Sequence, residues 1–326
     1  MKFRISLVAL GFLTLVGPQA NSTEFRVLAS WDDSHPARRT LLTTYLKNVE
    51  VASKGDLSFK LSGPETVPPF EQLQPVSAGI FQMLFTHPGY HTGSTTFLIP
   101  IDGLKGDSKT AREAGLYDLI DKHYQRFGMK LIFMTKSIES SGYQIILRQP
   151  VGASGDLAGR KIRGTQNYGG VFSLLHASPV VMPPGEVYSA LEKGVVDGAA
   201  WPAVGVLDYK WNEVAKFLMR PLFGSSPYYL FVNLNSWNNL SKAQQTVLLE
   251  QGKKIQGFWD PEWLRLSKVE QEKLIAAGSQ VTEVNPKVGA QLNSAWASGL
   301  WTLAATKANA KDLDELRAFA KTHGLE

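Results

Sequence analysis

The chain has 326 residues, of which 44% are hydrophobic, 10% aromatic and 19% charged, a composition that excludes a disordered protein and is long enough for two domains. It has no cysteine, which excludes a disulfide scaffold, a cysteine-ligated metal centre and a cysteine nucleophile. The formal net charge of +5 points to an acidic partner only if the N-terminal segment is counted.

Residues 1–22 have the pattern of a secretory signal peptide. The basic residues Lys2 and Arg4 precede an apolar run over 5–16, a Gly-Pro pair ends the run, and small residues at 20–22 offer a cleavage site. The run is shorter than the roughly 20 residues that span a bilayer, so we expect cleavage rather than an anchor. Removal of this segment lowers the net charge to +3. We therefore expect a periplasmic protein with no nucleic-acid partner and no membrane insertion after signal removal.

The remaining chain alternates between strand and helix patterns, which is typical of an α/β fold with largely parallel sheets. In the first half the patterns predict strands over 25–29, 57–61 and 80–85, helices over 37–51 and 71–77, and loops over 31–36, 66–70 and 87–91. In the second half they predict strands over 130–134, 143–147, 160–163, 180–182 and 195–201, and helices over 169–176, 185–193, 242–254 and 261–277. No polar linker separates the halves, which favours two lobes that the chain crosses more than once.

Motifs for catalysis and metal binding are largely missing from the sequence. It lacks G-x-S-x-G, G-x-x-x-x-G-K-[ST], H-E-x-x-H and G-x-G-x-x-G. His87 and His91 are separated by Pro-Gly, which prevents the helical geometry of a metal-binding pair. Arg163 ends a predicted strand, where open α/β sheets bind ligands. There it can bind a carboxylate through two parallel hydrogen bonds, or it can be a solvated surface residue.

The segment Met182–Gly198, M-P-P-G-E-V-Y-S-A-L-E-K-G-V-V-D-G, follows Lys161-Ile162-Arg163 at a distinctive distance. Together they resemble the extracytoplasmic solute-binding proteins of tripartite ATP-independent periplasmic (TRAP) transporters, the DctP-like family. Residues 69–79 and 87–91 look like the family's first-lobe helix and cleft loop. The resemblance covers nearly all of the chain after the signal segment.

The resemblance implies a two-lobed, Venus-flytrap α/β fold in which each lobe has a mixed sheet flanked by helices and a long C-terminal helix bridges the lobes. Residues 24–141 with about 228–265 would form lobe I, and residues 142–227 with about 266–326 lobe II. It also implies that the lobes close on an organic acid and deliver it to TRAP membrane permease subunits. We expect a binding protein, not an enzyme, with no cofactor.

The resemblance also implies ligand residues. Arg163 matches the arginine that pairs with the substrate carboxylate, Gln144 stands where many members have a second arginine, and Trp201 lies in the ligand segment after V-D-G. Members that bind 2-oxo acids with a metal ion have a glutamate at the position of Ala200. The alanine removes an anionic oxygen ligand, so we expect no metal site. If a cation were bound, Gln144 and the Trp201 backbone would hold it.

One cation, one amide and one large ring predict a monocarboxylate ligand with an apolar or aromatic body, such as a 2-oxo or aromatic acid, rather than a dicarboxylate. From the first lobe, the candidate contacts are Trp31, Phe70, Tyr90, His87 and Tyr228. Each of these is otherwise a core or rim residue.

Two alternatives remain from the sequence alone. One is a secreted α/β hydrolase or lyase, for which Asp197 and His176 are available although no nucleophile is paired with an orienting group. The other is a binding protein of another importer class.

Overall fold

A computed structural model describes residues 22–137 and 141–326 of the chain. The predicted signal segment, apart from Ser22, lies outside the described residues. Within the described ranges, no helix combines the length and the apolar character needed to cross a membrane.

Eleven strands in the described chain form two sheets. The strands are β1 (Thr23–Ala29), β2 (Leu57–Ser62), β3 (Met83–Thr86), β4 (Met129–Lys136), β5 (Tyr143–Leu147), β6 (Lys161–Arg163), β7 (Ser178–Val180), β8 (Gly198–Pro202), β9 (Phe217–Arg220), β10 (Pro227–Asn233) and β11 (Gln280–Glu283). The first sheet has the order β2-β1-β3-β10-β4 and the second the order β11-β9-β5-β8-β6-β7. Both are mixed, because β10 runs antiparallel to β3 and β4, and β5 runs antiparallel to β8 and β9. The chain therefore crosses between the sheets after β4, after β9 and again before β11.

Helices flank both sheets. The α-helices are α1 (Thr43–Ala52), α2 (Leu73–Ser77), α3 (Ser108–Glu113), α4 (Leu116–Gln125), α5 (Gly169–Leu174), α6 (Val187–Glu192), α7 (Trp211–Val214), α8 (Leu234–Asn238), α9 (Lys242–Ala276), α10 (Pro286–Gly289), α11 (Leu292–Ala304) and α12 (Ala310–Thr322). A π-helical stretch over Ala37–Leu42 leads into α1, and short 3-10 helices cover Pro69–Glu71, Pro88–Tyr90, Ile99–Gly103, Gln166–Tyr168 and Pro184–Glu186.

Helix α9 is the predicted bridging helix, and it is continuous where the sequence predicts two helices. It begins at a capping box in which Ser241 and Gln244 satisfy each other's backbone N–H groups. Its first half packs on the first sheet and its second half reaches the second sheet, where Glu270 and Gln271 contact residues 144 and 205. Pro261 lies inside the helix. The missing hydrogen bond there is offset by the full burial of Trp259 and Trp263 on either side of the proline.

Three strand predictions were shifted. The strand predicted over 180–182 lies at Ser178–Val180, because β7 pairs in parallel register with β6, and Val181 is exposed. The strand predicted over 80–85 begins only at Met83, since residues 80–82 form the exit turn of α2. The strand predicted over 195–201 likewise begins three residues later, at Gly198, and the other strand predictions are confirmed to within two residues at each end.

Candidate functional site

A small cavity of about 30 Å³ lies between the two sheets. The carboxyl ends of β1, β3, β6 and β8 meet there, together with the amino ends of the antiparallel strands β5 and β10. The carboxyl edge of an open α/β sheet is the usual place for a ligand. The lining residues are Trp31, His87, Tyr90, Tyr143, Arg163, Thr165, Asn167, Tyr168, Trp201, Pro202, Ser226, Tyr228 and Trp296.

Arg163 is the last residue of β6, and its side chain is almost completely buried on the cavity wall, with 1% of its surface exposed. Its Nε and Nη2 atoms donate to the Met182 carbonyl at 3.1 and 2.8 Å, and Nη1 donates to the Ala200 carbonyl at 3.3 Å. Within the described ranges no acidic side chain forms an ion pair with it. A buried guanidinium held by neutral groups, the two carbonyls and the nearby Tyr90 hydroxyl, is incompletely compensated, so it favours an anion in the cavity.

Aromatic rings form most of the remaining wall. The Arg163 guanidinium lies 5.1 Å from the centre of the Trp201 ring. On the opposite side, Trp31 packs edge-on against Tyr228 and Tyr90, with ring centres 5.3 and 5.7 Å apart. Burial raises the pKa of Tyr90, and the nearby Arg163 charge acts in the opposite direction. The phenol stays neutral, and the walls offer flat apolar surface beside one fixed cation.

A second polar group lies on the cavity wall where the two halves of the chain meet. His87 Nε2 is 2.9 Å from Asp102 Oδ2, and Asn167 Nδ2 donates to the same oxygen at 3.1 Å. The Tyr143 hydroxyl lies 3.3 Å from His87 Nε2. His87 follows β3 and Asp102 lies in the 3-10 helix Ile99–Gly103, both on the first-sheet side, whereas Asn167 follows β6 and Tyr143 begins β5. These contacts therefore join the two halves across the cavity.

Two other histidines near the cavity are buried and neutral. The His35 ring stacks on the Trp31 ring, with ring centres 4.9 Å apart, and His91 Nε2 is 3.2 Å from the Thr86 hydroxyl. Burial lowers the pKa of each to about 3, with smaller contributions from the charge of Arg39 on His35 and of His87 on His91. At neutral pH neither adds a positive charge to that of Arg163.

The structure brings six of the eight sequence-predicted ligand residues onto the cavity wall: Arg163, Trp201, Trp31, His87, Tyr90 and Tyr228. Gln144 is fully buried in β5 and does not line the cavity. Its Oε1 accepts from Gln271 on α9 at 3.2 Å, because the helix covers that face of the sheet. Phe70 also does not line the cavity: its side chain is 37% exposed and borders a neighbouring surface groove. Its ring packs edge-on against Tyr90, with ring centres 5.3 Å apart.

Residues 22–137 and 141–326 hold no group of three or more histidines and acids able to bind a metal ion. Ala200, at the position where metal-binding relatives were expected to have glutamate, is fully buried. Asp197 and His176, the residues available to a hydrolase, do not line the cavity. The Asp197 carboxylate accepts from the Lys161 backbone, and His176 pairs with Asp156.

Sequence reasoning missed Asn167 and Tyr143 on the cavity wall, and Asp102 behind it. Asn167 had a usable signal, since it follows Arg163 by four residues in the loop at the strand's carboxyl end. Asp102 had none, because its neighbours His87 and Asn167 are distant from it in sequence.

Comparisons with known proteins agree with this geometry. The family model of DctP, described as bacterial extracellular solute-binding protein, family 7, matches residues 108–303. A monocarboxylate 2-oxoacid-binding periplasmic protein from Nostoc sp. is 28% identical over 243 residues, which are 69% of this chain and 64% of the relative. An uncharacterized Haemophilus influenzae relative is matched over 49% of its length. The chain thus spans about half to two thirds of the length of these curated relatives.

Solved structures share the fold. A TRAP transporter solute-binding protein from Bordetella bronchiseptica, with copurified calcium and picolinate, superposes with a TM-score of 0.78 at 21% identity, covering 93% of this chain and 91% of that one. DctP7 of Bordetella pertussis, an extracytoplasmic solute receptor binding pyroglutamic acid, superposes with a TM-score of 0.75 at 18% identity. The match covers 91% of this chain and 99% of that one. These matches confirm the two-lobed α/β fold. The family model covers more than half of the chain, and the chain therefore belongs to the DctP family of TRAP-type bacterial extracellular solute-binding proteins.

Proposed function

We propose that this protein is the periplasmic solute-binding subunit of a TRAP-type transporter, and that it captures a monocarboxylate with a flat, apolar or aromatic body. The observation that carries the proposal is Arg163, a buried cation on the cavity wall whose partners in the described chain, two backbone carbonyls and the Tyr90 hydroxyl, are all neutral. A ligand carboxylate would supply the missing negative charge and accept the N–H groups that remain free.

Charge on the wall favours one carboxylate over two. Arg163 is the permanent cation among the described lining residues. The Asp102 carboxylate lies directly behind His87 and Asn167. A second ligand carboxylate on that side would meet this like charge in a site of low dielectric, which is unfavourable. The aromatic walls instead favour a ring or a short apolar chain.

Ligand entry requires the two halves to separate. Arg163 is 1% exposed, so a ligand cannot reach it while the walls are in contact. We propose that opening is a hinge motion of two lobes with the boundaries given by the sequence, 24–141 plus about 228–265 and 142–227 plus about 266–326. Among the described residues, the crossings after β9 and before β11 are the natural hinge segments.

The relatives support the transport role without fixing the ligand. The Nostoc protein is named for monocarboxylate 2-oxo acids, and the Bordetella structures hold picolinate and pyroglutamic acid. A relative from Escherichia coli, 34% identical over 104 residues, is named for 2,3-diketo-L-gulonate. Periplasmic location, delivery to membrane permease subunits and the monocarboxylate class are proposals for this chain.

A thermal-shift screen tests the function directly. Aromatic and 2-oxo monocarboxylates and the dicarboxylates succinate and malate are added with calcium or with EDTA, and hits are measured by calorimetry. A ligand at 100 times its Kd adds about 2.7 kcal/mol to the free energy of unfolding, so binding is readily detected. We expect monocarboxylates to stabilise the protein equally with and without calcium.

The variant Arg163→Met should lose carboxylate binding. Arg160→Met is the matched control, since the Arg160 guanidinium also donates to backbone carbonyls, of Gln149 and Pro150, but lies outside the cavity. Stabilisation by dicarboxylates alone, or unchanged affinity of Arg163→Met, would contradict the proposal.

A further inference from the structure

The polar group formed by Asp102, His87 and Asn167 has more acceptors than donors. His87 Nδ1 accepts from the Gly89 N–H at 2.9 Å, so in the neutral ring the proton is on Nε2, which faces Asp102 Oδ2 at 2.9 Å. Asn167 must direct its NH₂ group at the same carboxylate. The His87 Nε2 proton and one of the two Asn167 amide protons are therefore already directed at Asp102 Oδ2.

Two buried oxygens of this group have no hydrogen-bond partner among the described residues. They are Asp102 Oδ1 and Asn167 Oδ1. The residues are 1% and 2% exposed. Because the Asn167 NH₂ faces Asp102, the orientation of the amide is fixed and Oδ1 points away from the carboxylate. Buried acceptors without a donor are unfavourable, and native proteins nearly always satisfy them.

The position of Asn167 makes its free oxygen relevant to a ligand. Asn167 lines the same cavity as Arg163. A side chain at position 89 would crowd this oxygen, since a Cβ there would lie 3.1 Å from Asn167 Oδ1, and glycine avoids that contact. The backbone of Asp102 is held in place by Ser225 Oγ and Trp296 Nε1, which donate to its carbonyl at 2.8 and 3.2 Å. The acceptor is thus preorganised on a rigid wall.

We propose that the ligand carries, besides its carboxylate, an N–H or O–H group that donates to Asn167 Oδ1. This inference rests on the proposed function and narrows it. The substrate class becomes hydroxy acids and nitrogen-heterocyclic acids, in which a donor lies close to the carboxylate. The charge of Asp102 behind Asn167 strengthens the preference for a donor, since it polarises the amide and repels a ligand acceptor.

Calorimetry on matched acid pairs tests the inference. Pyrrole-2-carboxylate and furan-2-carboxylate differ by N–H against O at nearly constant shape, and mandelate with phenylacetate and lactate with propionate differ by one hydroxyl. We expect the donor-bearing acid of each bound pair to bind the native chain at least about tenfold more tightly.

The variant Asn167→Leu should reduce the affinity of the donor acid to that of its partner and leave the partner's affinity nearly unchanged. Gln166→Leu is the control, because the neighbouring Gln166 is exposed and outside the cavity. Arg163→Met should remove binding of both acids of every pair. If Asn167→Leu does not fold, the native comparison alone decides.

Equal affinity of the native chain within each pair, with binding still dependent on Arg163, overturns the donor inference and leaves the proposed function intact. Binding of the acids that is independent of Arg163, or no binding of any carboxylate, overturns the proposed function and with it this inference.

Discussion

Arg163 and Glu270 are both buried charged side chains that are held by the backbone rather than by an opposite charge. Arg163 donates to the carbonyls of Met182 and Ala200. Glu270, on α9 and 6% exposed, accepts from the N–H groups of Gly205 and Leu207 at 2.5 and 3.3 Å. Neither has an ion-pair partner in the described parts of the chain.

The difference lies in what each faces. Arg163 uses three of its five N–H groups on the backbone, and the other two lie on the cavity side, next to the Tyr90 hydroxyl. Glu270 is outside the cavity and connects α9 to the turn after β8. Burial with backbone partners is therefore common to Arg163, a binding group, and Glu270, a structural group. Only contact with the cavity distinguishes the two residues. The two are linked through Gly205, whose Cβ position is 3.0 Å from Trp201 Nε1.

The largest expected effect concerns Glu270 and pH. Burial raises its pKa from 4.5 to about 7, although the N–H groups of Gly205 and Leu207 act in the opposite direction. Between these values the unfolded chain releases a proton that the folded chain keeps, so this group's contribution to stability is lost as pH rises from 4.5 to 7. The loss is about 3 kcal/mol.

Glu270→Gln removes this titration and leaves one N–H facing an NH₂ group. We expect the difference in free energy of unfolding between the native chain and Glu270→Gln to shrink by up to about 3 kcal/mol between pH 4.5 and pH 8. Urea unfolding at each pH measures it. Comparison with native protein cancels the other titrating groups, and Glu272→Gln on the exposed face of α9 is the control. A penalty independent of pH would show that Glu270 is ionised throughout.

The next effect concerns the link between the two groups. Gly205 has φ of +103°, a conformation that other residues rarely adopt, and a side chain there would press on Trp201. Gly205→Ala should lower the free energy of unfolding by about 1–3 kcal/mol and weaken carboxylate binding by displacing Trp201.

Gly257→Ala is its control, since Gly257 is inside α9 with open space around its Cβ position. There alanine should stabilise by up to about 1 kcal/mol. Chemical denaturation separates the two outcomes. Equal effects of both substitutions would mean that the turn adapts freely and does not connect Glu270 to the cavity.

A smaller effect is expected from a substitution that keeps the positive charge at position 163 but removes the planar guanidinium group. The lysine ammonium has three N–H donors, so it cannot bond both backbone carbonyls and also bind a carboxylate through two parallel hydrogen bonds. Arg163→Lys should therefore weaken monocarboxylate binding by about tenfold to a hundredfold. Isothermal titration measures it, with Arg160→Lys as control. Retained affinity would indicate that a single positive charge is sufficient and that the paired geometry is not used.

Of the two buried charged residues compared above, the sequence predicted Arg163, which faces the cavity. Arg163 was found because it ends a parallel strand beside a distinctive motif, and Trp201 from the family resemblance, because it lies in the segment after V-D-G. Glu270 was missed, since its partner Gly205 is 65 residues away and the contact exists only once α9 lies across the second sheet. Gln144 was placed in the right strand, but its amide faces Gln271 on that helix rather than the cavity.

The same limit explains the error at Pro261. Local propensity predicts a break there, and local propensity was wrong, because Trp259 and Trp263 pack on the core and keep α9 continuous. Features set by adjacent residues were predictable, whereas those set by distant packing were not. The contact between Asp102 and Asn167 belongs to the second kind, since the two residues meet only when both halves of the chain are folded.

The smallest expected effect is the most informative for the comparison. Without ligand, Arg163→Met should change the free energy of unfolding by less than about 1 kcal/mol. Losing the bonds to two carbonyls and the contact with Trp201 is unfavourable, but the variant also avoids burying an uncompensated charge, and these contributions nearly cancel. Urea unfolding of ligand-free protein measures the difference. A loss above about 3 kcal/mol would place Arg163 with Glu270 as a structural group. A near-zero change together with lost binding would mean that the native chain maintains this buried charge for its ligand.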